Sequence, residues 1–159
     1  MLITLLYRLY YLLILLFFIP LNVFADTSEN CLLLTDISND RKLDQITYQS
    51  SDFSNCDLIG IELDNLDLKN FIFTGSNLSG SYFYGSNLEN VDFTNATLYG
   101  VNFGATNLEN ADFTNAKLDG SSFRDSNLEN ADFTNAKLKN INLYKSNLIN
   151  ADFTNADAT

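Results

Sequence analysis

The sequence contains no histidine, no tryptophan and one proline, Pro20. Without histidine, the chain lacks both the commonest general base and the commonest metal ligand of proteins. Basic residues are also scarce, since nine Lys and Arg stand against twenty Asp and Glu and the net charge is −11. This balance argues against direct binding to a nucleic-acid backbone, which requires clustered Lys and Arg. It favours a basic partner, a cation or simple solubility.

The N-terminal segment has the composition of an export signal. An apolar run over residues 9–19 follows the single charge of Arg8, and it is shorter than the ~20 residues of a membrane span. Pro20 ends the run, and Ala25 closes a small-residue cleavage site. We predict a signal peptide over residues 1–25, with cleavage near Ala25 and delivery to the bacterial periplasm or the medium. The alternative is an uncleaved anchor, and only then would the chain be attached to a membrane.

The chain from residue 51 onward is built from units of five residues. Residues 51–155 form 21 consecutive quintets without an insertion, and the third residue of every quintet is Leu or Phe. The first residue is small or apolar, and the other three are mostly polar. Positions one and three share one side of an extended chain, so positions four and five must turn a corner. A fixed repeat of this kind predicts an all-β solenoid.

A second period of 20 residues is superimposed on the first. Residues 86–105, 106–125 and 126–145 are near copies of one another. Four quintets per coil would stack like residues in columns, although duplication of a 20-residue unit would produce the same period. The expected core ladder in mid-stack is Leu88, Phe93, Leu98, Phe103, Leu108, Phe113, Leu118, Phe123, Leu128 and Phe133.

These quintets resemble the pentapeptide-repeat family, whose consensus is A-(D/N)-L-x-x, over residues 51–155. The resemblance implies a right-handed quadrilateral β-helix of about five coils, with positions one and three inside. The chain departs from the consensus by using Phe on alternate faces and by placing the bulky Phe71 at a first position. We assign residues 26–50, which lack the five-residue period, to a short N-terminal cap, and residues 51–159 to the solenoid.

The two cysteines are candidates for a disulfide. Cys31 lies in the predicted cap, and Cys56 occupies an inward first position. An exported protein permits a bond between them that would tie the cap to the first coil. Two separately buried thiols are the alternative, because Cys packs well as a small apolar residue.

Stacked coils also align the outward residues, and these columns form the candidate interaction surface. It comprises Asp92, Asp112, Asp132, Asp152, Thr94, Thr114, Thr134, Tyr82, Tyr84 and Tyr99. Exposed aromatic residues often mark protein interfaces. The alternatives are a solvated face copied by duplication, a cation-binding row of carboxylates, and an ice-binding row of threonines.

The predicted function is that of a non-enzymatic binding or structural module. A regular rod offers no concave pocket for catalysis, and no cofactor or metal is expected. The expected partner is a protein or an envelope component, without direct nucleic-acid binding. The resemblance also implies an alternative, since some pentapeptide-repeat proteins present an acidic, DNA-like rod to DNA gyrase. The final coil shows no cap, which leaves a homodimer through that coil as a further option.

Overall fold

The computed structural model describes Cys31 and residues 51–159. The predicted signal peptide and the predicted cap lie outside the described residues, except for Cys31, which is helical. Within residues 51–159 the regular structure consists of isolated parallel bridges, and none of them extends into a longer strand. The second residue of each quintet pairs with the residue 20 positions further on, from Asp52↔Ile72 to Lys137↔Asp157. The 20-residue register is therefore confirmed, and the fold is the predicted four-sided β-helix of about five coils.

The rod has four faces, which follow one another along the chain. Face 1 contains the quintets that begin at residues 51, 71, 91, 111, 131 and 151. Face 2 begins five residues later in each coil, and faces 3 and 4 follow at further steps of five. Face 1 lies opposite face 3, and face 2 lies opposite face 4, because four successive corners close each coil.

Backbone hydrogen bonds join each coil to both of its neighbours. In the quintet 71–75, the N–H of Phe73 donates to the carbonyl of Asp92, with an N···O distance of 2.7 Å. The N–H of Gly75 donates to the carbonyl of Thr94 at 2.8 Å, and the N–H of Ile72 donates back to Ser51 at 2.9 Å. Three bonds of this kind recur in quintet after quintet. The stack therefore satisfies its buried backbone groups between coils, as a sheet does between strands.

Every corner requires a left-handed backbone conformation. The fifth residue of all 21 quintets has a positive φ, between 54° at Ala105 and 76° at Gly120. Most of these positions hold Asn or Gly, the residues that adopt this region at least cost. Ala105 and Lys145 are the corner residues that lack both the freedom of Gly and the local hydrogen bonding of Asn or Asp. The polar fifth position of the repeat is thus set by backbone geometry.

The core is a double column of phenylalanine rings between two columns of leucine. Within face 1 the rings stack, with centroids 4.8 Å apart and planes 3° apart for Phe113 and Phe133. Rings of face 3 meet those of face 1 edge to face, as Phe113 and Phe123 do at 5.7 Å. All ten residues of the expected core ladder are fully buried. Phe71, the bulky first-position residue, is also buried and stacks on Phe53 at 5.5 Å.

Serine side chains at inward first positions bind the backbone of the preceding coil. The hydroxyl of Ser86 donates to the carbonyl of Leu63 at 2.6 Å and accepts the N–H of Leu66 at 3.0 Å. Ser76 bonds to Phe53 and Cys56 in the same way. No buried side-chain nitrogen or oxygen among the described residues lacks a hydrogen-bond partner. A small hydroxyl is therefore tolerated inside the rod because it bonds to a corner of the neighbouring coil.

The corner geometry predicts that Ala105→Gly stabilises the protein. Glycine removes the steric cost of the positive φ, and we expect a gain of about 0.5–1 kcal/mol in the free energy of unfolding. The matched control is Gly100→Ala, because a Cβ there would meet no atom within 4 Å and only the conformational cost would be added. That control should lose about 1 kcal/mol. Chemical denaturation measures both, and equal stability of all three proteins would contradict the argument.

The aromatic core predicts a large loss of stability for Phe113→Ala. Phe113 stacks on both Phe93 and Phe133 and has no exposed surface, so the substitution leaves a cavity in mid-stack. We expect a cost of about 3–5 kcal/mol and a broader thermal transition. Phe153→Ala in the last coil is the control, because its ring is already 36% exposed and should cost clearly less. Equal losses at the two positions would be incompatible with this packing.

Candidate functional site

The aspartates of face 1 hold the turns of their own quintets. Oδ1 of Asp112 accepts the N–H of Thr114 at 2.8 Å, and the same bond recurs at Asp92, Asp132 and Asp152 at 2.7 to 2.8 Å. Asn at the second position does the same on other faces, as Asn102 does for Gly104 at 2.9 Å. The acidic column of the candidate surface thus has a structural role, because one oxygen of each carboxylate is already engaged.

Hydrogen bonds from threonine lower the pKa of two of these aspartates. Burial acts to raise the pKa of Asp92, but hydrogen bonds from the hydroxyl and N–H of Thr94 and from the hydroxyl of Thr74 outweigh it. The pKa of Asp92 therefore lies below its ordinary value. The pKa of Asp152 is also lowered, chiefly by the hydroxyl of Thr154 and then by its N–H. Both side chains remain ionised acceptors at neutral pH.

Two continuous ladders of asparagine side chains run along face 4 and its corner with face 1. In the first, each Nδ2 donates to the Oδ1 one coil below at 2.9 to 3.1 Å, through Asn87, Asn107, Asn127 and Asn147. The second ladder repeats this pattern at 3.0 to 3.1 Å through Asn70, Asn90, Asn110, Asn130 and Asn150. These amides are committed to one another, and two glutamates of face 4 are engaged as well: Glu89 pairs with Lys69 at 2.8 Å, and Glu129 accepts a hydrogen bond from Nδ2 of Asn147 at 3.4 Å.

Charge is divided unequally between the two halves of the rod. Faces 1 and 4 carry nine carboxylates and one lysine: Asp52, Asp67, Glu89, Asp92, Glu109, Asp112, Glu129, Asp132, Asp152 and Lys69. Faces 2 and 3 carry the other five basic residues of the solenoid, namely Lys117, Arg124, Lys137, Lys139 and Lys145. The acidic residues of the candidate surface are therefore separated in space from its tyrosines. The structure splits that surface in two.

The exposed tyrosines of residues 51–159 all lie on faces 2 and 3. Tyr82 and Tyr84 project from the same quintet of face 3 and are 47% and 52% exposed, and Tyr99 on face 2 is 42% exposed. A Cβ at Gly104 would lie 3.1 Å from Cδ2 of Tyr84, so the ring packs close to the bare backbone of the next coil. A packed, half-exposed ring offers its exposed side as a contact surface at low cost in side-chain entropy.

A cation–π cluster on face 3 was not included in the predicted surface. The guanidinium of Arg124 lies 5.1 Å from the ring centroid of Tyr144, and the ammonium of Lys145 lies 5.4 Å from it. Arg124 also pairs with Asp125 at 3.0 Å. The signal was available, because Arg124 precedes Tyr144 by 20 residues and shares its column. Arg124 and Tyr144 lie two and three coils beyond Tyr84 on the same face.

The two cysteines are joined in a disulfide. The Cα atoms of Cys31 and Cys56 are 5.5 Å apart, and Cys56 is almost completely buried in the first coil. The bond fastens the segment before the solenoid to the wall of the rod. It contributes to stability and to the position of that segment, and it presents no reactive thiol.

The described residues offer no site for a metal ion or a membrane span. No group of three or more His, Cys, Asp or Glu in this part of the chain is placed to hold a metal. Within the same residues, no helix has both the length and the apolarity to cross a bilayer. The cation-binding alternative consequently has no ligand set on the rod, because its carboxylates lie in straight columns and do not converge.

Comparison with known proteins gives one family. A family model described as a pentapeptide repeat region matches residues 46–123 and 86–159. No curated protein matches the chain.

Several solved structures are similar to the chain. One is the pentapeptide repeat protein Rfr23 from the cyanobacterium Cyanothece 51142, at 24% identity over 83% of this chain and 99% of that one, with a TM-score of 0.47. Another is a pentapeptide repeat protein of the Arabidopsis thaliana thylakoid lumen, at 33% identity over 54% and 63%, with a TM-score of 0.45. A third is QnrB1, a plasmid-mediated fluoroquinolone resistance protein, at 15% identity over 69% and 71%, with a TM-score of 0.38.

The lowered pKa of Asp92 predicts a pH-dependent contribution to stability. Because the folded pKa lies below the unfolded value of about 3.9, ionised Asp92 stabilises the fold above that pH. The contribution is lost as the pH falls through the folded pKa. Asp92→Asn should therefore be less stable than the wild type at pH 7 by about 0.5–1 kcal/mol, because it loses the charged acceptor of Thr74.

This difference in the free energy of unfolding should shrink as the pH falls through the folded pKa of Asp92. Denaturant titrations at neutral and acidic pH measure it. Asn102→Ala, which removes an uncharged acceptor from the same kind of turn on face 3, is the control and should show a loss of stability that does not change with pH. If the free energies of unfolding of the wild type and Asp92→Asn differ by the same amount at both pH values, the hydrogen-bonding account is contradicted.

Proposed function

The chain belongs to the pentapeptide-repeat family, and on this premise we propose that it is an exported, non-enzymatic solenoid that binds a protein or envelope component through face 3. Proteins of this family are in general structural or binding modules and not enzymes. The observation that carries the proposal is the pair of half-exposed rings of Tyr82 and Tyr84, with the Arg124–Tyr144 contact further along the same face. Tyr and Arg are the residues enriched at the centres of protein interfaces.

The outward residues of faces 1 and 4 are weaker candidates for a binding site than those of face 3, because most of them already have hydrogen-bond partners. The aspartates and threonines of face 1 bond to each other, and the asparagines of face 4 form ladders. These groups already have partners, so a ligand would have to break bonds that the rod needs. Tyr82 and Tyr84, in contrast, expose about half of their surface. Burial of such rings on a partner is favourable by roughly 25 cal/mol per Å² of apolar area.

Export is the part of the proposal that rests on the N-terminal sequence and on the disulfide. The apolar run, Pro20 and the small-residue site at Ala25 favour cleavage. A disulfide between Cys31 and Cys56 is compatible with an oxidising compartment outside the cytoplasm. We place the mature protein in the bacterial periplasm or outside the cell.

Intact-mass measurement after cell fractionation tests export. The expected product of native expression is a periplasmic or secreted chain that begins at Asp26 and is two hydrogens lighter than its reduced form. Reduction and alkylation of the same sample provide the control for the disulfide. A full-length chain recovered from the cytoplasm would refute export and move the search for partners to cytoplasmic proteins.

Site-specific photocrosslinking in living cells tests whether face 3 contacts the partner. A photoreactive residue in place of Tyr84 should give a discrete crosslinked species, and Tyr82→Ser should reduce its yield severalfold. The matched control places the same photoreactive residue at Asn110, an exposed corner on the opposite side of the rod. Equal crosslinking from the two positions would contradict a role for face 3.

The gyrase-binding alternative is favoured by one observation, the acidity of the adjacent faces 1 and 4. Their nine carboxylates and single lysine give one side of the rod a strongly negative field, as a DNA duplex has. Export opposes this function, because gyrase is a cytoplasmic enzyme. Supercoiling by DNA gyrase in the presence of excess protein is the test. Inhibition that is lost when Asp112 and Asp132 are changed to Asn would favour the mimic over the exported module.

A further inference from the structure

A strip of short polar side chains runs along face 3 beside its aromatic rings. Asn102, Ser122 and Asn142 are the outward second-position residues of three successive coils, at steps of about 4.8 Å. The fourth-position column beside them carries Tyr84 at one end and Tyr144 at the other, and both rings are more than half exposed. The two rings stand three coils apart, which is on the order of 14 Å. A ligand that lies along the strip therefore reaches both rings only if it is at least that long.

Polar groups of this strip have no partner within the described part of the chain. Oδ1 of Asn102 accepts the N–H of Gly104 at 2.9 Å, but its Nδ2 donates to no described residue. The hydroxyl of Ser122 likewise makes no hydrogen bond to the described residues. Amides at the same position of face 4 differ, since Nδ2 of Asn127 donates to Oδ1 of Asn107 at 3.1 Å. Face 3 forms no such ladder because Ser122 interrupts the amides, so the strip presents uncharged donors and acceptors to a ligand.

The charges of face 3 lie around the strip and nearly cancel. They are Glu62 and Asp64 in the first coil, Arg124 with its partner Asp125 at 3.0 Å, and Lys145 at the last corner. Three carboxylates thus stand against two cations, and the side chains of the strip itself are uncharged. The net charge of −11 also opposes the approach of an acidic polymer at long range. This distribution favours an uncharged ligand.

The shape of face 3 favours a linear ligand over a folded protein. Three extended residues between corners make the face about 10 Å wide, and its five coils make it about 25 Å long. Its area is therefore on the order of 250 Å², whereas each partner in a standard protein interface buries roughly 800 Å². A chain that runs parallel to the rod axis, in contrast, can use the full length of the face.

A peptide strand would find the main chain of this face already engaged. The N–H of Ser122 donates to the carbonyl of Val101 at 2.9 Å, and the carbonyl of Ser122 accepts the N–H of Phe103 at 2.7 Å. The backbone of Asn102 bonds to the preceding coil in the same way. Extended peptides bind sheets by adding a strand to free backbone groups, which an exposed sheet edge supplies. Face 3 therefore offers a ligand its side chains, which are rings, amides and a hydroxyl.

We propose that face 3 binds an uncharged, extended glycan that lies along the rod axis. A pyranose ring has apolar C–H faces that pack on aromatic rings, and its edge carries hydroxyls that both donate and accept hydrogen bonds. One unit of an extended β-linked glycan is close in length to the coil step of about 4.8 Å. Successive units can therefore meet Asn102, Ser122 and Asn142 in turn, between the rings of Tyr84 and Tyr144. This inference rests on the proposed function, because it assigns one class of envelope component to face 3.

Titration calorimetry of the natively expressed, oxidised chain with two uncharged β-linked hexasaccharides, cellohexaose and chitohexaose, tests the proposal. The wild type should bind at least one of them with a Kd between about 10 μM and 1 mM, because a few hydrogen bonds and two ring contacts stabilise the complex. Tyr84→Ala and Tyr144→Ala should each weaken binding about threefold to tenfold. Tyr99→Ala is the matched control, because that ring is also exposed but lies on face 2, and it should bind as the wild type does.

Ser122→Lys tests the strip while all the rings stay in place. The long side chain would fill the strip, and lysine is compatible with the second position because Lys117 and Lys137 occupy it on face 2. Thr97→Lys, which precedes those lysines in their column, is the control. Hexasaccharide binding should fall at least about fivefold for Ser122→Lys and stay unchanged for Thr97→Lys. The disaccharide of the same sugar should bind the wild type at least about tenfold more weakly than the hexasaccharide, because it is too short to reach both rings.

The outcomes separate this inference from the proposed function. No saturable binding of either hexasaccharide at millimolar concentrations, or binding that the face 3 variants leave unchanged, would overturn the glycan. A protein crosslinked in cells through the photoreactive residue at Tyr84 would then keep face 3 as the binding face with a different occupant. Decaproline that binds and responds to the same variants would likewise replace the glycan by a proline-rich peptide. If no probe binds and no crosslink forms at Tyr84, both the inference and the proposed function fail.

Discussion

The left-handed backbone at every fifth residue is the constraint on which the rest of the molecule depends. All 21 corner residues have a positive φ, and each corner turns the chain after three residues. Four such turns close a coil in 20 residues, which places the backbone donors of one coil opposite the acceptors of the next. An insertion of one residue would shift every later bond, so the unbroken count of five is a requirement of hydrogen bonding.

The repeated hydrogen bonds between coils also explain why most outward side chains at repeated positions stabilise the fold. A carboxylate or amide at the second position caps the N–H at the fourth, and asparagine ladders link the coils along face 4. These columns are conspicuous in the sequence because the structure repeats, and they bind mainly to themselves. Function is then more readily sought at outward residues that break the repeat, such as Tyr84, Arg124 and Tyr144, since nothing in the coil geometry calls for them.

The rod has distinct sides, although its cross-section is nearly regular. Faces 1 and 4 are acidic, whereas faces 2 and 3 hold the exposed tyrosines and five of the six basic residues of the solenoid. The proposed partner contact uses face 3, which is the face that combines exposed aromatic rings with a cation–π cluster.

The sequence by itself determined the five-residue solenoid and its core, because period five admits one inward pair per quintet. The 20-residue period only predicted four quintets per coil, and the bridges between residues 20 apart confirm that register. Phe113 and Leu108 were assigned to the core on that basis, and both are fully buried. Only the tertiary structure decided which columns are already engaged, since hydrogen bonds such as Thr74 to Asp92 join residues 18 apart across a coil boundary. It also decided that the ring of Tyr84 packs close to Gly104 and that Arg124 lies over Tyr144. Counting gives the column in which a side chain stands, but its direction depends on the space that its neighbours leave.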